Sequence, residues 1–170
     1  PPEHIVLLSA DLLAFFTPSE FHPLWGEWAG KLAGHFTASL SEKTVFLGYV
    51  PLLLAGVALW KRRRGDAVRF WFLSGIIFFI LALGPVLHIA GNTEFTPFRL
   101  SVPLPYAFLQ HLPLFRLARS VSRFTLMVTL SLGVLAAMGL KAILYGFRGF
   151  FPYLLATCLL AICLIEYAPV

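Results

Sequence analysis

Four stretches of the chain carry almost no charge, and they restrict its fold more than any other feature. TVFLGYVPLLLAGVALW (44–60), the run 70–87 and the run 124–140 hold no charged residue, and the run 150–167 holds only Glu166, near its end. A helix needs roughly 17–25 apolar residues to cross the ~30 Å hydrocarbon core of a bilayer, and each run meets that length. Apolar residues make up 59% of the chain and charged residues 12%, with a mean hydropathy of +0.84. A soluble domain holds about 45–50% and about 25% of each. The reading is therefore an all-α membrane protein with about four transmembrane helices and short interfacial or re-entrant helices in its exterior loops.

Pro51 interrupts the first run and is expected to bend its helix, because proline removes an amide donor and crowds the preceding turn. The second run closes on Gly84-Pro85, a stop signal. Residues 5–16, IVLLSADLLAFF, are apolar but too short to span alone and carry Asp11 in the middle. They read as an interfacial helix or the tail of a further span. The chain opens Pro-Pro-Glu, without the basic leader and small-residue cleavage site of a signal peptide, and reads as a piece of a longer protein.

Lysine and arginine density sets the orientation, since short basic loops resist translocation. KRRRGDAVR (61–69) holds five basic residues, and KAILYGFRG (141–149) holds two and no acid. Residues 1–43 and 88–123 together hold six. The loops 61–69 and 141–149 are thus expected in the cytoplasm, and the segments 1–43 and 88–123 on the exterior or periplasmic side. All five histidines and six of the eight acids fall in those two exterior segments. Within the second of them, PLPYAFLQHLPLF (103–115) reads as an interfacial or re-entrant helix broken by prolines.

The net charge of +5 does not point to nucleic acid. The basic residues sit in short clusters beside apolar runs, where anionic lipid head groups are the nearer partner. Cys158 and Cys163 lie within one apolar run, about 140° apart on a helix, and indicate neither a disulfide nor a metal site.

One cluster departs from the orientation bias. Arg116, Arg119 and Arg123 precede the third run on the side where basic residues are scarce. At 100° per residue they fall at about 0°, 300° and 340°, with Ser120 near 40°, so the four share one face. Guanidinium groups hold phosphate oxygens through paired N–H donors, and such a face at head-group depth suits a phosphate or pyrophosphate carried on a lipid tail. Snorkelling to ordinary lipid phosphates, with a purely anchoring role, is the alternative.

Asp11, Glu20 and Glu42 are candidates for a general base or for divalent-cation ligands, because transfer to a hydroxyl requires loss of its proton and stabilisation of the leaving phosphate. None shows a recognised metal spacing, and Asp11 reads equally well as a helix cap. His22 and His111 each sit in a proline-flanked apolar stretch, where an idle polar ring is costly, and are candidate substrate contacts. Trp25 and Trp28 stand beside the exterior acids, where an indole can stack on a sugar. Glu166 is expected to pair with an arginine of the cluster.

SADLLAFFTPSEFHPLWG (9–26), EKTVFLGYVPLLLA (42–55), LGPVLHIAG (83–91) and PLPYAFLQHLPLFRLARSVSRFTLMVTLSLGVLAAMGL (103–140) together resemble the C-terminal half of bacterial membrane glycosyltransferases of the GT-C class. The resemblance implies a bacterial plasma-membrane protein that moves a sugar from a polyprenyl-phosphate donor to an acceptor on the non-cytoplasmic side. It also implies that Arg116, Arg119 and Arg123 hold the lipid-phosphate end of the donor, with Glu42 and His22 lining the same cavity. In that class the catalytic acid usually lies in a first exterior loop, upstream of this segment, so no acid here is assigned by resemblance. The rival expectation is a non-catalytic membrane component or a transporter of a lipid-linked precursor. A transporter tends to carry ionisable groups at mid-membrane and broken helices.

Overall fold

The computed structural model describes residues 11–33, 45–62, 65–87, 103–109, 121–147 and 149–168. All regular structure among them is helical. In chain order the helices are α1 (Gly26–Ala33), α2 (Tyr49–Arg62), α3 (Asp66–Ala82), α4 (Tyr106–Leu109), α5 (Thr125–Leu144) and α6 (Phe151–Glu166). Two 3-10 turns, Leu12–Phe15 and Val121–Phe124, complete the set. One isolated antiparallel bridge joins Val86 to Pro103. Among the described residues α5 is the one helix long and apolar enough to cross a membrane, while α6 and residues 49–61 of α2 are apolar but shorter.

All four apolar runs form helices, but their ends differ from expectation in ways that follow from local chemistry. The first helix starts at Tyr49 rather than at 44, because Gly48 takes a left-handed conformation (φ 79°) and breaks the run. Pro51 consequently falls in the first turn of α2, where its missing N–H has no intrahelical partner to lose. It starts the helix instead of bending it. The second helix begins at Asp66, not 70, with an acid in its first turn where the helix dipole favours negative charge. It ends before Gly84 (φ 81°) and Pro85. The third extends past 140 to Leu144, with Lys141 in its last turn, where a cation is favoured. Of the helix expected in 103–115, one turn, α4, is described, and of the apolar segment 5–16, the 3-10 turn after Asp11.

Helix α5 is the centre of the bundle. It packs against α2 on one side and α3 on the other, while α2 and α3 barely touch each other. The core is correspondingly a seam of Ala55, Val128, Leu132 and Leu135, extended by Phe15, Leu47, Ala82 and Leu83 at one end. The α2–α5 joint is made of small residues, Ala55 and Ala58 opposite Ala136 and Gly139, all buried. Such residues let two helix backbones approach closely.

Two ends of the bundle can be told apart. At the lower end α2 turns back into α3 and α5 into α6. At the upper end α5 begins beside the end of α3, where the Phe124 ring meets those of Phe78 and Tyr106 at 6.0 and 6.4 Å between centroids. Tyr106 is buried there, and burial pushes its phenol above the usual tyrosine range. Exposed aromatic side chains collect at both ends: Phe21, Trp25, Trp28, Tyr49 and Tyr167 above, Trp60, Phe70, Tyr145, Phe150 and Tyr153 below. Between them the exposed apolar surface is largely aliphatic, with Leu53, Leu73, Ile76, Ile77, Leu160 and Ile162.

Candidate functional site

A cluster of hydrogen-bonded polar side chains lies at the upper end, where segment 11–28 meets the start of α2 and the end of α6. Asp11 is buried and caps the first 3-10 turn, its Oδ1 accepting from the Leu13 N–H at 2.9 Å. Thr17, also buried, donates its hydroxyl to the Leu13 carbonyl at 2.8 Å. Glu20 lies half-buried in the following turn, which Gly26 closes so tightly that a Cβ there would stand 2.6 Å from the Glu20 carbonyl oxygen.

His22 is buried with both ring nitrogens engaged. Its Nδ1 accepts from the N–H groups of Leu24 (3.1 Å) and Trp25 (3.2 Å), and its Nε2 is 2.8 Å from the Ile165 carbonyl oxygen. A nitrogen that accepts two N–H bonds carries no proton, so the ring is the neutral tautomer that donates from Nε2. The side chain expected to touch substrate instead ties segment 11–28 to the last turn of α6.

Glu166, one residue further, does not serve as the counter-ion of an arginine cluster in the described structure. Its Oε1 accepts from the Tyr49 N–H at 2.7 Å and its Oε2 from the Val50 N–H at 3.2 Å. These are unpaired donors of the first turn of α2, so the carboxylate acts as a helix cap supplied from another helix. Around it the Tyr167 hydroxyl donates to the Leu47 carbonyl at 2.5 Å, and the Tyr49 hydroxyl donates to the Phe16 carbonyl at 2.7 Å. Leu47 N–H in turn donates to the Phe15 carbonyl at 3.0 Å. Gly48 is needed here twice over, for its positive φ and because a Cβ would press on the Tyr167 ring. Sequence reasoning missed this junction, although Gly48 followed by Pro51 was a usable helix-start signal.

Of the arginine face, Arg123 is described: it is exposed in the 3-10 turn that leads into α5 and makes no ion pair among the described residues. Arg116, Arg119, Ser120, His111 and Glu42 lie outside the described residues. Trp25 and Trp28 are both exposed. Among the described residues no three His, Cys, Asp or Glu side chains are placed to hold a metal ion.

Because α2 and α3 diverge across α5, a groove of about 300 Å³ opens between the three helices. Its walls include Phe16 and Leu47 near the top, Leu52 and Leu59 of α2, Phe79 of α3, and Val128 and Leu132 of α5. The volume sits at the lower end of ligand pockets, about 300–1,000 Å³. One polar atom is buried in its wall, Ser131 Oγ, with no hydrogen-bond partner among the described residues. A Cβ at Gly75 would stand 3.4 Å from the Ser131 Cβ, so the α3–α5 contact beside it is also small and close.

No family model, no curated protein and no solved structure matches this chain.

Proposed function

We propose that the chain is the donor-binding part of an integral-membrane glycosyltransferase that uses a polyprenyl-phosphate-linked sugar, and that α2, α3, α5 and α6 cross the bilayer. At 1.5 Å per residue α5 is about 30 Å long, the thickness of a hydrocarbon core. Only 33% of its apolar window is buried, less than the core helix of a soluble domain would bury. The aromatic side chains above and below an aliphatic band follow the interfacial preference of Trp and Tyr.

The observation that carries the functional reading is Arg123. An exposed guanidinium stands at the head of α5, about one and a half turns above Val128 and the apolar groove. A cation at the height just above an apolar slot suits an amphiphile with an anionic head. Arg116, Arg119 and Ser120 extend the cationic face if the turn continues upstream. In the transfer, the acceptor oxygen forms the new bond to the anomeric carbon as the sugar–phosphate bond breaks, and the guanidinium groups hold the departing phosphate as its charge develops. The acceptor hydroxyl loses its proton to a carboxylate; Asp11, Glu20 and Glu42 are the candidates within this chain, and the resemblance puts the catalytic acid upstream of it.

Binding of polyprenyl phosphate to the full-length protein in nanodiscs tests this reading, with the unphosphorylated polyprenol as reference. Losing a charge-assisted hydrogen-bonded pair costs about 1.5–3 kcal/mol, so Arg119→Ala and Arg123→Ala should each weaken phosphate-dependent binding on the order of ten- to a hundredfold. Equal affinity of wild type and variants, or no preference for the phosphate, would contradict it. A transporter of a lipid-linked precursor is the second reading, favoured by one feature. The N-terminus of α2 holds the Glu166 carboxylate, and transporters bind anionic groups at such helix starts. Translocation of the lipid without sugar transfer would select it.

A further inference from the structure

The four membrane-crossing segments do not reach the same height. Helices α2 and α5 run in the same direction, each returning through a neighbour at the lower end. A Cβ on Gly139 would run into the Leu54 carbonyl oxygen and stand 3.3 Å from the Ala58 nitrogen, which sets the register between the two helices. Counting back from that crossing at 1.5 Å per residue, α2 begins roughly 10 Å below the start of α5. Helix α6 ends at the same low step, since Glu166 caps the first turn of α2.

Segment 11–28 is seated on this step. It is held by the His22–Ile165, Leu47–Phe15 and Tyr49–Phe16 hydrogen bonds, so its depth is tied to that of the helix ends. Away from those bonds it presents an apolar surface: Phe21 is 59% exposed, Leu24 71%, Trp25 50% and Trp28 51%. Through Ile165 this surface continues into α6, a helix with no buried residue whose Leu160, Ile162 and Leu164 are exposed. The exposed apolar surface of α6 and the aromatic patch therefore adjoin at Ile165, where His22 binds the last turn of α6.

We propose that Phe21, Leu24, Trp25 and Trp28 form a lipid-contacting patch that lies in the upper leaflet on the α2–α6 side, lower than the leaflet boundary beside α5. The occupant of the patch is membrane lipid. Indole rings favour the boundary between head groups and acyl chains, and the patch extends a helix surface that already faces hydrocarbon. With α2 about 21 Å and α6 about 24 Å long, the leaflet on that side thins to meet them. This inference rests on the membrane reading above but is independent of donor chemistry.

Tryptophan quenching in brominated-lipid nanodiscs tests it on the full-length protein. A Trp60→Phe/Trp71→Phe variant leaves Trp25 and Trp28 as reporters in this segment, and Trp25→Phe/Trp28→Phe leaves Trp60 and Trp71; tryptophans elsewhere in the full chain are replaced in both. The expected result is clear quenching of Trp25 and Trp28, stronger with bromines on the upper acyl chain than near its end. Unquenched Trp25 and Trp28 alongside quenched Trp60 and Trp71 would overturn the patch while leaving the membrane reading intact, and protection by another protein surface would give that result. No quenching in either variant would overturn both. Loss of polyprenyl-phosphate binding in the arginine variants leaves this readout unchanged.

Discussion

Replacing Gly139 by leucine is expected to abolish a monodisperse folded protein, and replacing it by alanine to leave a protein that unfolds measurably earlier. A methyl group at this position meets the backbone of Leu54 and Ala58 rather than the tip of a flexible side chain. The α2–α5 joint is the largest helix contact in the fold, so relief requires two whole helices to move apart. Overpacking a close-packed core costs about 1–3 kcal/mol for a small insertion, and a backbone collision belongs at the upper end of that range. Gly133 and Gly56 are the controls, since a Cβ at either has open space around it. Alanine there should be neutral or stabilising by about 0.4–1 kcal/mol, because glycine weakens a helix interior. Thermal unfolding followed by circular dichroism and size-exclusion profiles in detergent will separate the two classes. Equal behaviour of Gly139→Ala and Gly133→Ala would show that the helices do not cross at this point.

The second large effect is expected at Glu166. Its carboxylate satisfies first-turn N–H groups of α2 and is fixed beside His22 and Tyr167, which bind the neighbouring backbone. Glu166→Ala leaves those donors without their acceptor in a half-buried place. Loss of a capping acceptor costs about 0.5–2 kcal/mol, and the lost charge at a helix N-terminus adds about 0.3–1 kcal/mol. Glu166→Gln keeps one acceptor oxygen and should lose about half as much. Because this junction is a main attachment of α6, the alanine variant should also expose α6 to limited proteolysis. Unchanged melting and unchanged cleavage in Glu166→Ala would mean that α6 is held by other contacts.

Helices α2, α3, α5 and α6 were readable from the sequence because each lies largely within an apolar run almost free of charge, and hydrophobic length is a strong signal. Their ends were less readable. Treating charge as the end of a helix placed 61–69 and 141–149 in loops, yet α2 continues to Arg62, α3 starts at Asp66 and α5 runs through Lys141. Charge at those positions is compatible with helix and is favoured where it matches the dipole. Pro51 was misread for a related reason: its effect depends on its place in the helix, and Gly48 moved the helix start to within its first turn.

The junction at the upper end was hidden for a different reason. Glu166 and Tyr49 are 117 residues apart, and His22 and Ile165 are 143 apart. No local pattern announces such pairs. A carboxylate near the end of an apolar run invites a cationic partner, but here backbone N–H groups answer it. The histidine in a proline-flanked apolar stretch was singled out as a substrate contact, and its partners turned out to be the fold itself. Of the arginine face, Arg123 is exposed, and Arg116 and Arg119 lie outside the described residues.

The proposed arrangement has these helices crossing a bilayer with Arg123 on the exterior side and the basic residues 61–64 in the cytoplasm. Single cysteines introduced at Glu20, Arg123, Lys61 and Phe147, in a full-length background freed of other cysteines, including Cys158 and Cys163, test it with a membrane-impermeant maleimide on intact cells. The account predicts labelling of positions 20 and 123 from outside and of 61 and 147 only after permeabilisation. Labelling of 123 and 61 from the same side, or all four without permeabilisation, would contradict it.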